Sequence, residues 1–139
     1  MVDNDLLFAK ISAVKKHMNR VKKYAKGDLN DFLNDEDAQD IVLFNLQLAV
    51  QNCIDIAAHI VSEHTALVVG STNEMFYSLE ENRVIDQELT EKMTKAVGLR
   101  NLIVHEYGRL DMKIIHDASR HDIKDLNGFI KAVAQAFNL

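Results

Sequence analysis

The sequence predicts an all-α fold, a bundle of four long helices plus one short helix, and two observations predict it. The 139 residues include no Pro and only five Gly, so the main helix breaker is missing and turn formers are scarce. Apolar residues recur at steps of three and four along most of the chain, which is the period of a helix with one buried stripe. A chain of this length suits one domain, residues 1–139, able to bury roughly two-thirds of its unfolded surface. There is no repeat, no low-complexity segment and no linker.

The elements follow in order. Leu7, Ile11, Val14, Met18, Val21 and Ala25 alternate steps of four and three and form the apolar stripe of a first helix. Gly27 and Asp28 weaken or end it. Asp35, Glu36, Asp37 and Asp40 sit where a helix N-terminus favours negative charge. A second long helix then carries Leu43, Leu46, Gln47, Val50, Ile54, Ala57, Ala58 and Val61 and frays around His64. Ala66–Val69 reads as an extended connection or a last helical turn, because the chain offers no partner strand. Ser71 and Glu74 have capping-box spacing and start a short third helix with Met75, Phe76 and Leu79. Asp86 caps a fourth helix running toward Tyr107. A last helix covers roughly Asp111 to Phe137, with a break expected at Ser119, where Ser119 and Asp122 offer a second capping box.

Composition removes several classes of function. Apolar residues make up 47% and charged residues 27%, ordinary for a globular chain. The single Cys53 rules out an internal disulfide and a cysteine-based zinc site, and it reads as a buried small hydrophobe. His59 and His64, and likewise His116 and His121, are five apart, whereas two ligands on one helix want three or four, so no metal site is expected. The start of the chain does not read as a signal peptide, and no uninterrupted apolar run approaches the roughly 18 to 20 residues that span a bilayer. The cytoplasm is therefore the expected location. Net charge is −5. Its distribution is uneven: Lys10, Lys15, Lys16, Arg20, Lys22, Lys23 and Lys26 lie on the first helix with no acid among them. The stripe is either a solvated face or a surface that tracks phosphates, with Lys15, Lys16, Arg20, Lys22 and Lys23 as its candidates.

The fourth helix is the informative one. At about 100° per residue from Leu89, the residues Met93, Ala96, Val97, Ile103, Val104 and Tyr107 fall within roughly 80° and form a buried stripe. Arg100 falls at about 20°, inside that stripe. A guanidinium stays charged, and burying it unpaired costs several kcal/mol. Arg100 must therefore pair with an internal carboxylate such as Asp55 or line a cleft that receives a phosphate. His105 sits about 140° from Arg100 on an ideal helix, so the two do not share a face. The reach of Arg, a distorted last turn before Gly108, or a two-fold axis bringing in a second copy would unite them.

The string Gly98-Leu99-Arg100-Asn101-Leu102-Ile103-Val104-His105-Glu106-Tyr107 resembles the signature of HEPN domains: Arg with a following polar residue, four residues between Arg and His, then Tyr two after the His. Gln47, Asp55 and His59 in the second helix resemble the HepT-type toxin branch of that family, and the order of helices agrees over nearly the whole chain. The resemblance implies a two-fold homodimer with the motif helices meeting across a cleft. It implies that Arg100 and His105 are a catalytic pair for metal-independent endoribonuclease chemistry, with Asn101 in support and no cofactor. His titrates near neutrality and Arg offers a fixed bidentate fork, which suits cleavage by the 2′-hydroxyl of RNA. It further implies that Tyr107 accepts AMP from ATP through a partner antitoxin, a minimal nucleotidyltransferase (MNT), and that the added phosphates occupy the Arg100 fork. Two rivals remain at this level. One is a non-catalytic module that binds nucleotide or holds a nucleotidyltransferase partner; the other is a purely structural dimerisation bundle.

Overall fold

The computed structural model describes residues 2–64 and 71–139. Among them are six α-helices and no strand: α1 (Asn4–Ala25), α2 (Leu29–Leu33), α3 (Glu36–His64), α4 (Thr72–Glu81), α5 (Gln87–His105) and α6 (Met112–Ala136), with a 3-10 turn at Tyr107–Arg109 between the last two. The four long helices and the short α4 are those expected from the periodicity. The run from Ala66 to Val69 lies outside the described residues.

The helix starts are set by side chains that accept from free backbone N–H groups. Asp3 accepts from Leu6, Asp28 from Asp31, Asp35 from Ala38, Ser71 from Glu74 and Asp86 from Leu89. Asp28 also explains α2, a helix that the periodicity does not predict. A single turn is too short to show a period, yet it buries Phe32 under the bundle. Gly27 turns the chain from α1 into α2 at φ +99°, where an L side chain is strained.

The expected break in α6 does not occur. Asp111 caps the helix through the N–H of Lys113, and the helix runs unbroken past Ser119. The Ser119 hydroxyl donates instead to the His116 carbonyl at 2.6 Å within the same helix, so it caps nothing.

α3 is the central helix. It packs against α1 most extensively and also against α2, α4, α5 and α6. Its stretch Glu36–Glu63 is apolar and long enough to cross a membrane by length and composition, with mean hydropathy 1.5, but more than half of it is buried inside the bundle. The α1 stripe of Leu7, Ile11, Val14, Met18, Val21 and Ala25 is buried to the last member, as its spacing requires. Phe76 of α4 meets Phe129 of α6 edge to face, with ring centroids 5.6 Å apart. Each such large side chain contributes roughly 1.5–3 kcal/mol by leaving water. Cys53 is fully buried in α3, and burial together with nearby Asp55 pushes its thiol well above the usual thiol range. It is a core residue and no nucleophile.

Candidate active site

α5 positions the motif. Its first half is held by a cap and by its buried face. Asp86 caps it, the Thr90 hydroxyl donates to the Asp86 carbonyl at 2.8 Å, and Thr90, Met93, Ala96 and Val97 are buried. Helical geometry continues through His105 and closes with the Glu106 N–H donating to the Leu102 carbonyl at 2.8 Å. Distortion therefore begins only after His105, and the angular separation of Arg100 and His105 stands. The reach of Arg or a second copy is left to unite them.

Arg100 is half-buried. Its Nη1 donates to the Oδ1 of Asn101 at 2.9 Å, and its buried Nε has no hydrogen-bond partner. Asp55 is not its partner: that carboxylate takes Lys10 Nζ at 3.1 Å and Gln51 Nε2 at 2.9 Å. Among the described residues no carboxylate forms an ion pair with Arg100. A guanidinium lodged in a helix wall with one orphaned donor is suited to an incoming anion. Asn101 steadies the guanidinium and leaves His105 alone.

His105 is exposed and lines an open cleft of about 500 Å³ with Glu106, Tyr107, Gly108 and Arg109. Tyr107 and Val104 depart from the expected buried stripe. Val104 is exposed, and Tyr107 is 51% exposed on the 3-10 turn. For Tyr107 the reason is the helix end: beyond His105 the backbone no longer advances 100° per residue, so the spacing that placed it over Arg100 lapses; Val104 lies on the regular helix at the edge of the stripe, where no neighbouring helix covers it. The Tyr107 hydroxyl instead donates to Asp40 Oδ1 at 2.9 Å. Partial desolvation, then that hydrogen bond and the Asp40 charge, raise the phenol above its ordinary range. Asp40 is 67 residues away in the chain. Its only sequence signal was a place in the acidic start of α3.

The basic stripe of α1 divides. Lys10 is tied to Asp55. Arg20 and Lys23 lie over the Tyr24 ring at 5.6 and 5.4 Å. Lys15 and Lys16 remain exposed, and Lys22 turns toward α6. α1 runs antiparallel to α3, with Lys10 at Asp55 and His17 at Asn45, so the later part of the stripe lies toward the start of α3, where Asp40 holds Tyr107. The histidines are dispersed as well. His59 accepts the Asp3 N–H at 3.0 Å, His17 meets Asn45 at 2.9 Å, His116 packs against Phe32, and His121 faces Asp117 at 3.3 Å. Among the described residues, no three His, Cys, Asp or Glu side chains converge as metal ligands would.

Exposed apolar side chains lie near the motif. Phe44, one turn beyond Asp40 on α3, is 60% exposed, and Ile114 on α6 is 59% exposed. Leu102 on α5 is exposed with them.

A family model described as Ribonuclease HepT-like matches residues 14–133 of the chain. The chain belongs to that family. Its similarity to individual HepT proteins is extensive. An mRNA nuclease HepT from Shewanella oneidensis is 35% identical over 130 residues, 94% of this chain and 97% of the relative. A tRNA nuclease HepT from Aphanizomenon flos-aquae is 29% identical over 106 residues, 76% of this chain and 72% of the relative. Among solved structures, a tri-AMPylated HEPN toxin from Shewanella oneidensis in complex with MNT antitoxin superposes with a TM-score of 0.87 and 34% identity, covering 96% of this chain and 99% of that one. The HepT-like chain is accordingly a ribonuclease with the HEPN fold, and the purely structural bundle and the non-catalytic module both fall away.

Proposed function

We propose that this HepT-like chain is the toxin of a HEPN/MNT pair, cutting RNA with Arg100 and His105 and silenced by AMP transfer onto Tyr107. The observation that carries the site assignment is the half-buried Arg100, whose Nε has no partner and which no carboxylate neutralises. A phosphodiester supplies the missing anion.

The chemistry follows from the side chains. One His105 takes the proton of the 2′-hydroxyl, the 2′-oxygen attacks the adjacent phosphorus, and a second His105 protonates the departing 5′-oxygen. Arg100 holds the phosphate oxygens as charge builds on them. Products are a 2′,3′-cyclic phosphate and a 5′-hydroxyl, with no metal in the reaction. Two copies of His105 imply a homodimer. The exposed Phe44, Leu102 and Ile114 around the motif support it, because a second copy laid on them would remove apolar surface from water. Asn101 holds the Arg100 fork in place from the same helix.

AMP transfer joins the Tyr107 oxygen to the α-phosphorus of ATP and releases pyrophosphate, with the antitoxin as catalyst. Tyr107 stands beside His105 in the same open cleft, so an adenylate there would place negative charge where the RNA phosphate must enter. The named relatives act on mRNA and on tRNA; RNA is the substrate class for this chain, and the cytoplasm is where it meets both RNA and ATP.

The test is cleavage of labelled RNA by the purified chain with excess chelator. Expected are cyclic-phosphate and 5′-hydroxyl ends, absent with Arg100→Ala or His105→Ala. Ends bearing a 3′-hydroxyl, or full activity of His105→Ala, would sink the mechanism. Incubation with antitoxin and ATP should raise the intact mass by whole AMP units in the unsubstituted chain and leave Tyr107→Phe unchanged.

A further inference from the structure

A second cleft lies outside the motif. It has a volume of about 660 Å³ and sits where the C-terminal end of α1 meets the middle of α6, with Lys22, Lys26, Arg120, Lys124 and Asn127 in its walls. Two features separate it from an ordinary solvated surface. Among the described residues none of these four cations takes part in a salt bridge, although the chain as a whole carries five excess negative charges. One wall is also fixed: the Arg120 guanidinium donates to the Gly27 carbonyl and stands 3.5 Å from the buried His116 ring, so the Gly27 turn and α6 are held together at the floor.

We propose that this α1–α6 cleft binds the sugar–phosphate backbone of the RNA beyond the cut site. Electrostatics favour it. A chain of net charge −5 repels a polyanion on average, so productive approach needs a local region of opposite sign. The cleft supplies four unneutralised cations in one concavity. Its lysines are long, flexible point charges, which suit phosphates in any sequence and read no bases. Geometry favours it too. α6 connects the cleft to the motif: Asp111, Ile114 and Ile115 line a shallow pocket with Leu99, Leu102 and Glu106 of α5. Arg120 and Lys124 follow about 8–14 Å further along the helix axis from Ile115, at 1.5 Å per residue. At about 100° per residue Arg120 and Lys124 stand about 140° and 180° round the helix from Ile115, so a strand reaching them from the motif passes round α6 as well as along it. The inference rests on the ribonuclease reading. It narrows the broad α1 stripe to its C-terminal end, keeping Lys22 and Lys26 from it and adding cations from α6 that are remote in sequence.

The experiment is a salt titration of RNA binding by fluorescence anisotropy, using a labelled single-stranded RNA and the full chain carrying His105→Ala to prevent cleavage. Lys22→Ala, Lys26→Ala and Lys124→Ala are combined in that background; Arg120 is left alone because it braces the Gly27 turn. The control combines Lys95→Ala, Lys113→Ala and Lys131→Ala, the same loss of charge on exposed positions outside the cleft. Thermal melts establish that each variant folds. At about 0.7 in the log–log salt slope per phosphate contact on a single strand, the cleft variant should lose about 2 from the slope and bind at least tenfold more weakly at low salt. The control should keep its slope. Equal slopes for the cleft variant and the parent, or an equal drop in the control, overturns the cleft assignment while leaving the nuclease intact. A cleft variant that keeps its slope but no longer assembles with the antitoxin makes the cleft a protein-docking surface and overturns it as well. If the chain with His105 intact cuts no RNA, the failure belongs to the ribonuclease reading.

Discussion

The two halves of α5 obey different rules. From Asp86 to Val97 the inward groups are satisfied: a cap, a hydroxyl returned to the backbone, and apolar side chains buried against neighbouring helices. From Arg100 to Arg109 the balance is reversed, with an orphaned guanidinium nitrogen, an exposed His105 and an exposed Tyr107. Only Ile103 in that second stretch is buried. The first half fixes the helix on the bundle. The second half keeps unspent bonding capacity, and the proposed site draws on it. A residue of the first kind should cost stability when removed, and a residue of the second kind should cost activity.

The largest expected effect tests the second kind. His105→Ala and Arg100→Ala should each lower RNA cleavage by about 10²-fold or more, the usual consequence of losing a general acid–base or an oxyanion donor. Their melting temperatures should stay near the parent's. A collapse in melting temperature for both would erase the contrast between the halves.

The next effect belongs to the scaffold that holds α5. Phe129→Ala removes a ring that is wholly buried against Phe76 and should cost about 3–5 kcal/mol in chemical denaturation. Activity per folded molecule should survive below the new melting point. A loss under about 1 kcal/mol would mean that the core around Phe129 collapses to fill the space.

A smaller effect depends on pH. Burial, then the nearby Asp125, raises the Asp122 carboxyl on α6 to about 6. The folded state thus holds this proton more tightly than the unfolded chain. The resulting stability is present below the ordinary Asp range near 3.8 and is lost as pH rises through about 6. Asp122→Asn should stabilise the chain by about 1 kcal/mol at neutral pH, discounted because the side chain is partly solvated, and the gain should vanish toward about pH 4. A gain that is the same at both pH values would separate it from this proton.

The smallest effect lies in the motif itself. Asp40→Asn removes the carboxylate that accepts from Tyr107, so the phenol should ionise closer to its ordinary range. Tyrosine-selective NMR titration resolves it from Tyr24 and Tyr77. An unmoved Tyr107 titration would mean that desolvation alone sets it.

Much of this protein is legible in the order of its residues, because the physics concerned is local. A period of 3.6 places Leu7, Ile11, Val14, Met18, Val21 and Ala25 on one face wherever that helix goes. An Asp or Ser side chain reaches an N–H two or three residues on without reference to the rest of the chain, which makes the caps at Asp86 and Ser71 readable. The same local logic fails when several outcomes satisfy it. Ser119 and Asp122 have the spacing of a cap, but a continuous apolar stripe on α6 holds the helix together through them.

By itself the sequence determined the four long helices and the short α4, the family motif and the anomaly of an arginine in an apolar stripe. Tertiary structure decided which partners those groups received. Asp55 went to Lys10 rather than Arg100, Tyr107 found Asp40 across 67 residues, and Lys22 and Lys26 met Arg120 and Lys124. Period and capping act over a few residues and are written in spacing. Charge neutralisation acts through space, between whichever side chains the packed helices bring together, and spacing along the chain carries no record of it.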